Sequence, residues 1–174
     1  HDLTFSQQQF DALVLFTSYA AMSAVKERLR EESLPFPLLT LGRNAPHIIE
    51  QFRHTPRAVL LATGAAWEGF DFPGDCVSLL VIPRLPFAYP DALKEKEREE
   101  YASLRQFIQN VAVPEMQIKL RQGFGRAIRT ESDTCVIAIL DERACRGRRY
   151  AQAVSEALPE MRRTGSLREV TRFL

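Results

Sequence analysis

Three stretches of this sequence combine residue types that can grip an anion or a base. The densest is Arg121-Gln122-Gly123-Phe124-Gly125-Arg126-Ala127-Ile128-Arg129. Arg126 and Arg129 lie three apart and Gln122 lies four before Arg126, so on a helix they would share one face. An amide and two forked guanidiniums on one patch suit a polyphosphate, which arginine holds with paired hydrogen bonds. A solvated basic face is the plainer reading of the same residues. Gly123 and Gly125 are poor helix formers and point to close approach of another backbone or a ligand.

The second stretch, Thr63 to Asp75, holds three glycines, a proline, three carboxylates and Trp67 in thirteen residues. Such a loop is costly to order, which suggests backbone held close to a ligand. The plainer reading is a turn-rich connection with Trp67 buried as a core aromatic; otherwise Trp67 stacks on a base or braces the loop, and residue types do not separate these roles. The third stretch is Thr17-Ser18-Tyr19. A hydroxyl pair at a helix start caps the free N–H groups, and the same end of a helix favours a phosphate. A fourth stretch is a decoy. Ala138-Ile-Leu-Asp141-Glu142 has the shape of a magnesium-binding strand end, but none of the four lysines (Lys26, Lys94, Lys96, Lys119) follows a glycine, so the chain has no P-loop. A solvated strand end is the expectation there.

The elements that would position these residues are legible as apolar runs. Leu13–Phe16, Pro37–Leu41, Ala58–Ala62, Val77–Ile82 and Cys135–Leu140 read as strands. Most are apolar without alternation, which predicts burial on both faces of a parallel sheet. Helical patterns lie between them. Ala20–Glu32 places Ala21, Val25 and Leu29 on one face; Pro46–His54, Asp91–Asn110, Glu115–Arg129 and Arg146–Leu158 follow. Strands alternating with helices predict an α/β fold, a doubly wound and mainly parallel sheet with helices on both faces. Pro83, Pro86 and Pro90 make Ile82 to Pro90 a stiff loop leaving the fourth strand. The third and second stretches then follow the first and third strands, at carboxyl ends where open α/β sheets bind ligands, and the first stretch precedes the fifth strand.

Composition narrows the class. With 174 residues, 45% hydrophobic and 26% charged, one compact domain is expected and a disordered or fibrous chain is excluded. The net charge of +1, from 23 basic and 22 acidic residues, argues for no partner at whole-chain level. No apolar run approaches the ~18–20 residues of a membrane span, and no signal peptide is visible. A cytoplasmic location with no membrane partner is the expectation. Cys76, Cys135 and Cys145 are widely spaced, so neither a zinc ribbon nor an iron–sulfur cluster is built from this chain, and each reads as a small buried hydrophobe.

Taken in order, these motifs resemble those of the DinG/XPD-like superfamily 2 DNA helicases, bacterial DinG branch. Leu13-Val-Leu-Phe-Thr-Ser-Tyr19 resembles their motif IV, Trp67-Glu-Gly-Phe-Asp71 with Pro73-Gly74 their motif V, and Gln122-Gly-Phe-Gly-Arg126-Ala-Ile-Arg129 their motif VI. Arg84-Leu-Pro-Phe87 and Leu140-Asp-Glu-Arg143 fit the same branch, and Phe70 stands where an aliphatic residue is commoner. The resemblance implies a RecA-like C-terminal motor domain over residues 1–174, a fragment of a longer helicase whose N-terminal RecA-like domain carries the P-loop and DEAH box. ATP and Mg2+ would bind jointly with that domain. Arg126 and Arg129 would be arginine fingers. Gln122, Gly125, Glu68 and Asp71 would bind or couple the nucleotide. Thr17, Ser18, Thr63, Gly64 and Trp67 would lie along single-stranded DNA. The resemblance also implies 5′ to 3′ movement, a place in DNA repair, and an isolated domain that is inactive. The alternative is a nucleotide-binding or interaction module without motor activity.

Overall fold

A computed structural model describes residues 11–42, 47–67, 69, 77–128, 133–166 and 168–170. Five strands form one parallel sheet in the order β2-β3-β1-β4-β5: β1 Ala12–Phe16, β2 Leu38–Thr40, β3 Val59–Thr63, β4 Leu79–Ile82 and β5 Val136–Ile139. All five apolar runs are therefore strands, and the α/β doubly wound reading holds. β1 is central. Leu13 pairs with Leu60 on one side and with Leu80 on the other. The chain builds β2 and β3 on one flank of β1, then β4 and β5 on the other. The crevice at the carboxyl end of β1 is thus the switch point of the sheet.

Asp11 sets this register. Its carboxylate accepts the Ala58 N–H at 3.0 Å, and its carbonyl accepts the N–H groups of Ser78 and Leu79 at 2.9 and 3.2 Å. One buried residue thereby ties the starts of three strands together.

The two sheet faces are not equally covered. Leu13, Leu15, Leu60, Ala62, Leu80 and Ile82 point to the main core, which also takes in Ile49 and Phe52 of α2 (His47–His54), Met116 and Leu120 of a helix described below, and Val154. The opposite face has a smaller cluster, Phe16, Leu61 and Met22, with Val14 and Val59 only half-buried. The expected burial of both faces is corrected to one deep face and one thin one. Helix α1 (Tyr19–Arg30) lies on the thin face, and its phase also differs from expectation. Met22 is buried there, while Ala21 and Val25 are exposed. A narrow apolar patch needs only one long side chain from the first turn, and Met22 reaches it.

The region expected as one helix from Asp91 to Asn110 is two. Helix α3 (Ala92–Glu99) is capped by Asp91, which accepts the Lys94 N–H at 2.8 Å, and buries nothing. Ser103 then caps α4 (Leu104–Phe107), accepting from the Gln106 N–H at 3.2 Å. Tyr101 is left outside both helices and meets Phe107 edge-on at 5.7 Å. A π turn at Ile108–Ala112 carries α4 into α5 (Val113–Phe124), so Pro114 sits inside a continuous helical run. Proline removes one N–H and crowds the preceding turn. The wider π turn absorbs that mismatch locally. The last helix, α6, spans only Ala151–Ala157, because Gly147 at φ +77° lies in the first turn of the expected stretch and breaks it.

The proline-rich loop after β4 is pinned. Leu85 donates its N–H to the Asp141 carboxylate at 2.9 Å, and Arg143 closes on the same carboxylate through Nε at 2.9 Å and Nη2 at 2.6 Å. Phe87 stacks at a tilt on Tyr150 with centroids 4.7 Å apart, and the Arg143 guanidinium lies over both rings. Asp141 is buried, so the expected solvated strand end is corrected to a structural clasp. Among the described residues no helix is long and apolar enough to cross a membrane.

Candidate functional site

Motif IV, the start of motif V and motif VI meet at the carboxyl ends of β1 and β3. The Phe16 carbonyl, last in β1, is the junction. It accepts the Thr63 hydroxyl at 2.9 Å and the Trp67 indole N–H at 2.8 Å. Trp67 lies in a single 3-10 turn, Gly64–Trp67, directly after β3, and is 1% exposed. Its ring belongs to the core, so in this arrangement it offers no face to a base. Thr63 is likewise buried, with its hydroxyl committed to Phe16.

Gly64 opens this turn at φ +62°, where side chains are strained. Gly123 is required by its neighbour instead. A Cβ there would lie 2.6 Å from Cζ3 and 2.8 Å from Cε3 of Trp67, and 3.3 Å from Cδ1 of Leu15. The expected close approach is real, but it comes from the Trp67 side chain and not from a backbone or ligand. A Cβ at Gly125 would meet the Arg121 and Gln122 carbonyls only at an ordinary 3.5 Å, so packing does not demand glycine there.

Helix α5 stops at Phe124, with the Gly125 N–H returned to the Arg121 carbonyl at 2.9 Å. The turn tightens beyond it: the Arg126 N–H bonds the Gly123 carbonyl at 3.1 Å and the Ala127 N–H the Phe124 carbonyl at 3.0 Å. The shared helical face of Gln122 and Arg126 is therefore corrected. Gln122 is exposed on the last turn of the helix, while Arg126 is half-buried in the turn that follows. Arg129, Glu68, Asp71 and Phe70 lie outside the described residues.

Helix α1 begins beside the same junction. Ser18 caps it, accepting the Ala21 N–H at 3.2 Å, and both Thr17 and Ser18 are exposed. No acidic side chain occupies the first turn of α1, so its positive end is not neutralised by the helix itself. Two residues here carried no assigned role in the sequence. The Tyr19 hydroxyl stands 3.5 Å from where a Gly64 Cβ would be. The Lys119 ammonium lies 6.0 Å from the centroid of the Trp67 ring. Lys119 sits one helical turn before Gly123, a spacing that brings it over whatever packs on that glycine.

Burial pushes the Cys135 thiol up to about 11, which leaves it protonated and inert. Cys145 is exposed, against the expectation that it is buried, and Cys76 lies outside the described residues. Among the described residues no cluster of His, Cys, Asp and Glu could hold a metal ion.

Comparison with known proteins bears on the family and the fold. The family model for the helicase C-terminal domain matches residues 3–161. The chain is 38% identical over 163 residues to the ATP-dependent DNA helicase YoaA of Haemophilus influenzae, covering 92% of this chain and 25% of that protein. It is 33% identical over 177 residues to the 3′-5′ exonuclease DinG of Bacillus subtilis, covering 98% of this chain and 18% of that protein. The chain thus spans about a quarter or less of the length of these relatives. Among solved structures, an XPD helicase chain superposes with a TM-score of 0.63 at 21% identity, over 79% of this chain and 26% of that one. An apo XPD chain superposes with a TM-score of 0.67 at 19% identity, over 87% of this chain and 31% of that one. With a five-stranded parallel sheet of the RecA-like kind and a family match over residues 3–161, this chain belongs to the helicase C-terminal domain family of DinG/XPD-like helicases.

Proposed function

We propose that this chain is the second motor domain of an ATP-dependent DNA helicase, a segment of a longer protein that moves 5′ to 3′ along single-stranded DNA. The observation that carries the reading is the junction at Phe16. It joins an exposed helix N-terminus to the turn that bears Arg126, within a chain that has no P-loop lysine of its own.

ATP would sit in a cleft between this domain and an N-terminal RecA-like domain. Arg126 would reach the γ-phosphate as an arginine finger, with Arg129 beside it. Charge spreads over the phosphoryl oxygens in the transition state, and a guanidinium stabilises it without transferring a proton. Gln122 and Gly125, with Glu68 and Asp71, would position the nucleotide. Mg2+ would be held with the ATP jointly between this domain and its companion; among the described residues alone no cluster of His, Cys, Asp and Glu could hold a metal ion. On the DNA side, Thr17 and Ser18 at the open end of α1, with the backbone at Thr63 and Gly64, suit contacts to phosphates and not to base edges. A motor that must pass every sequence needs contacts of that kind.

The test is ATP turnover by the full-length protein with and without a single-stranded oligonucleotide. Arg126→Ala should leave nucleotide binding within about threefold and lower kcat by ~10³-fold or more, the scale of an arginine finger. The 174-residue chain alone should bind neither ATP tightly nor turn it over. Unchanged turnover in Arg126→Ala would remove the finger assignment. A full-length protein that binds ATP but never hydrolyses it would favour the binding module instead.

A further inference from the structure

We propose that Trp67 is a positioning residue that couples the DNA-facing strand ends to the arginine-bearing turn, acting through its seat on Gly123. This inference rests on the motor reading above and adds to it the part that links the two sites.

The linkage is short and has little slack. The indole is fixed at one edge by its N–H bond to the Phe16 carbonyl at 2.8 Å. Thr63 is fixed to the same carbonyl at 2.9 Å, so a displacement at the end of β1 or of β3 moves the support of the ring. At its other edge the ring lies against Gly123 so closely that a single added carbon would come within 2.6 Å of it. The Gly123 carbonyl in turn accepts the Arg126 N–H at 3.1 Å. Strand end, indole, glycine and arginine backbone are therefore consecutive contacts.

Burial makes the ring a rigid transmitter. Trp67 is 1% exposed, and Leu15 closes on the same glycine from the sheet. The ring cannot rotate without breaking its hydrogen bond or striking Gly123. Close-packed interiors pass such displacements on because they hold no free volume to absorb them. Thr17, Ser18 and Gly64 are exposed at the strand ends, and Arg126 is half-buried in the turn after Gly123. A nucleic-acid strand that shifts the ends of β1 and β3 would move the turn carrying Arg126.

Coupling and mere support differ in one measurable quantity, the ratio of ATP turnover with single-stranded DNA to turnover without it. The experiment uses the full-length protein, an unstructured oligonucleotide and three variants. Trp67→Phe keeps a ring and loses the N–H. Gly123→Ala places a methyl against the ring. The third is the double variant. Each single change should lower the stimulation ratio about fivefold or more with the KM for ATP within about twofold. The double variant should be no worse than the worse single one, because both interrupt one serial path of contacts.

Independent effects would multiply to about twenty-five-fold, and that result would overturn the proposal. A lowered melting temperature with an unchanged ratio would also overturn it, since support alone predicts that. Should Gly123→Ala fail to fold, the ratio in Trp67→Phe decides the question by itself. A wild-type protein whose turnover ignores DNA would refute the motor reading itself, a result distinct from either of the others.

Discussion

Replacing Asp141 tests whether the clasp behind the site holds the fold in place. Its side chain is 5% exposed, and it accepts the Leu85 N–H, the Arg143 N–H and the Arg143 guanidinium. In Asp141→Ala the Leu85 N–H is left buried without an acceptor, at a cost of about 1–3 kcal/mol. Breaking a fully buried ion pair costs about 3–5 kcal/mol. The Arg143 side chain is 44% exposed, so water takes over much of its solvation when the carboxylate leaves. That lowers the ion-pair loss to about 1 kcal/mol, the upper end for exposed pairs. The sum is roughly 2–4 kcal/mol, or about 4–16 °C in melting temperature for a chain of this size.

The pH dependence has a definite sign. Arg143 holds the Asp141 carboxyl well below the usual carboxylate range, burial opposes that shift, and the Leu85 N–H adds to it. A depressed folded pKa means the stabilisation is present in full above the unfolded value of about 3.9 and is lost as pH falls below it. Circular dichroism melts of wild type and Asp141→Asn should therefore differ by a constant amount from about pH 7 to pH 5, with the gap closing below about pH 4. Asparagine keeps an acceptor for Leu85, so its loss should be about half that of alanine. A gap that survives unchanged to pH 3, or an alanine variant as stable as wild type, would refute the clasp.

Two smaller tests follow from the same geometry. Gly64→Ala places a side chain at φ +62° with room around it, the Tyr19 hydroxyl being 3.5 Å away, so the cost is backbone strain alone. A loss of about 1–2 kcal/mol in denaturant melts is expected, and none at all would mean the turn relaxes out of the left-handed region. In a thiol-labelling experiment read by peptide mass, Cys145 should react in the native protein near neutral pH. Cys135, half-buried and pushed up to about 11, should react only after unfolding. Equal rates at both would show that the β5 edge opens readily.

The strands were legible because each is a run of apolar residues bounded by residues that turn the chain. Burial in a parallel sheet demands that composition directly, so Leu13–Phe16 or Val77–Ile82 could hardly be anything else. Helix boundaries were less legible because caps compete. Ser103 begins a new helix inside what reads as one periodic stretch, and Pro114, which reads as a start, sits in a run that a π turn carries through. The phase of α1 also escaped prediction. Periodicity shows that a helix has an apolar side, but the patch awaiting it decides which residue goes in, and here that residue is Met22.

The candidate site divides in the same way. Residue types and their order were enough to find motifs IV, V and VI, because a phosphate-binding wall needs glycines, arginines and a helix start at strand ends. What each residue touches was decided only by the tertiary fold. Trp67 was free to be a base stacker until β1 presented a carbonyl to its N–H and α5 presented a glycine to its ring. Asp141 was free to be a solvated strand end until Leu85 and Arg143 arrived from either side of it in sequence. A side chain carries its chemistry with it along the chain. Its partners lie 51 residues away for Trp67 and Phe16, and 56 for Asp141 and Leu85, so only folding chooses them.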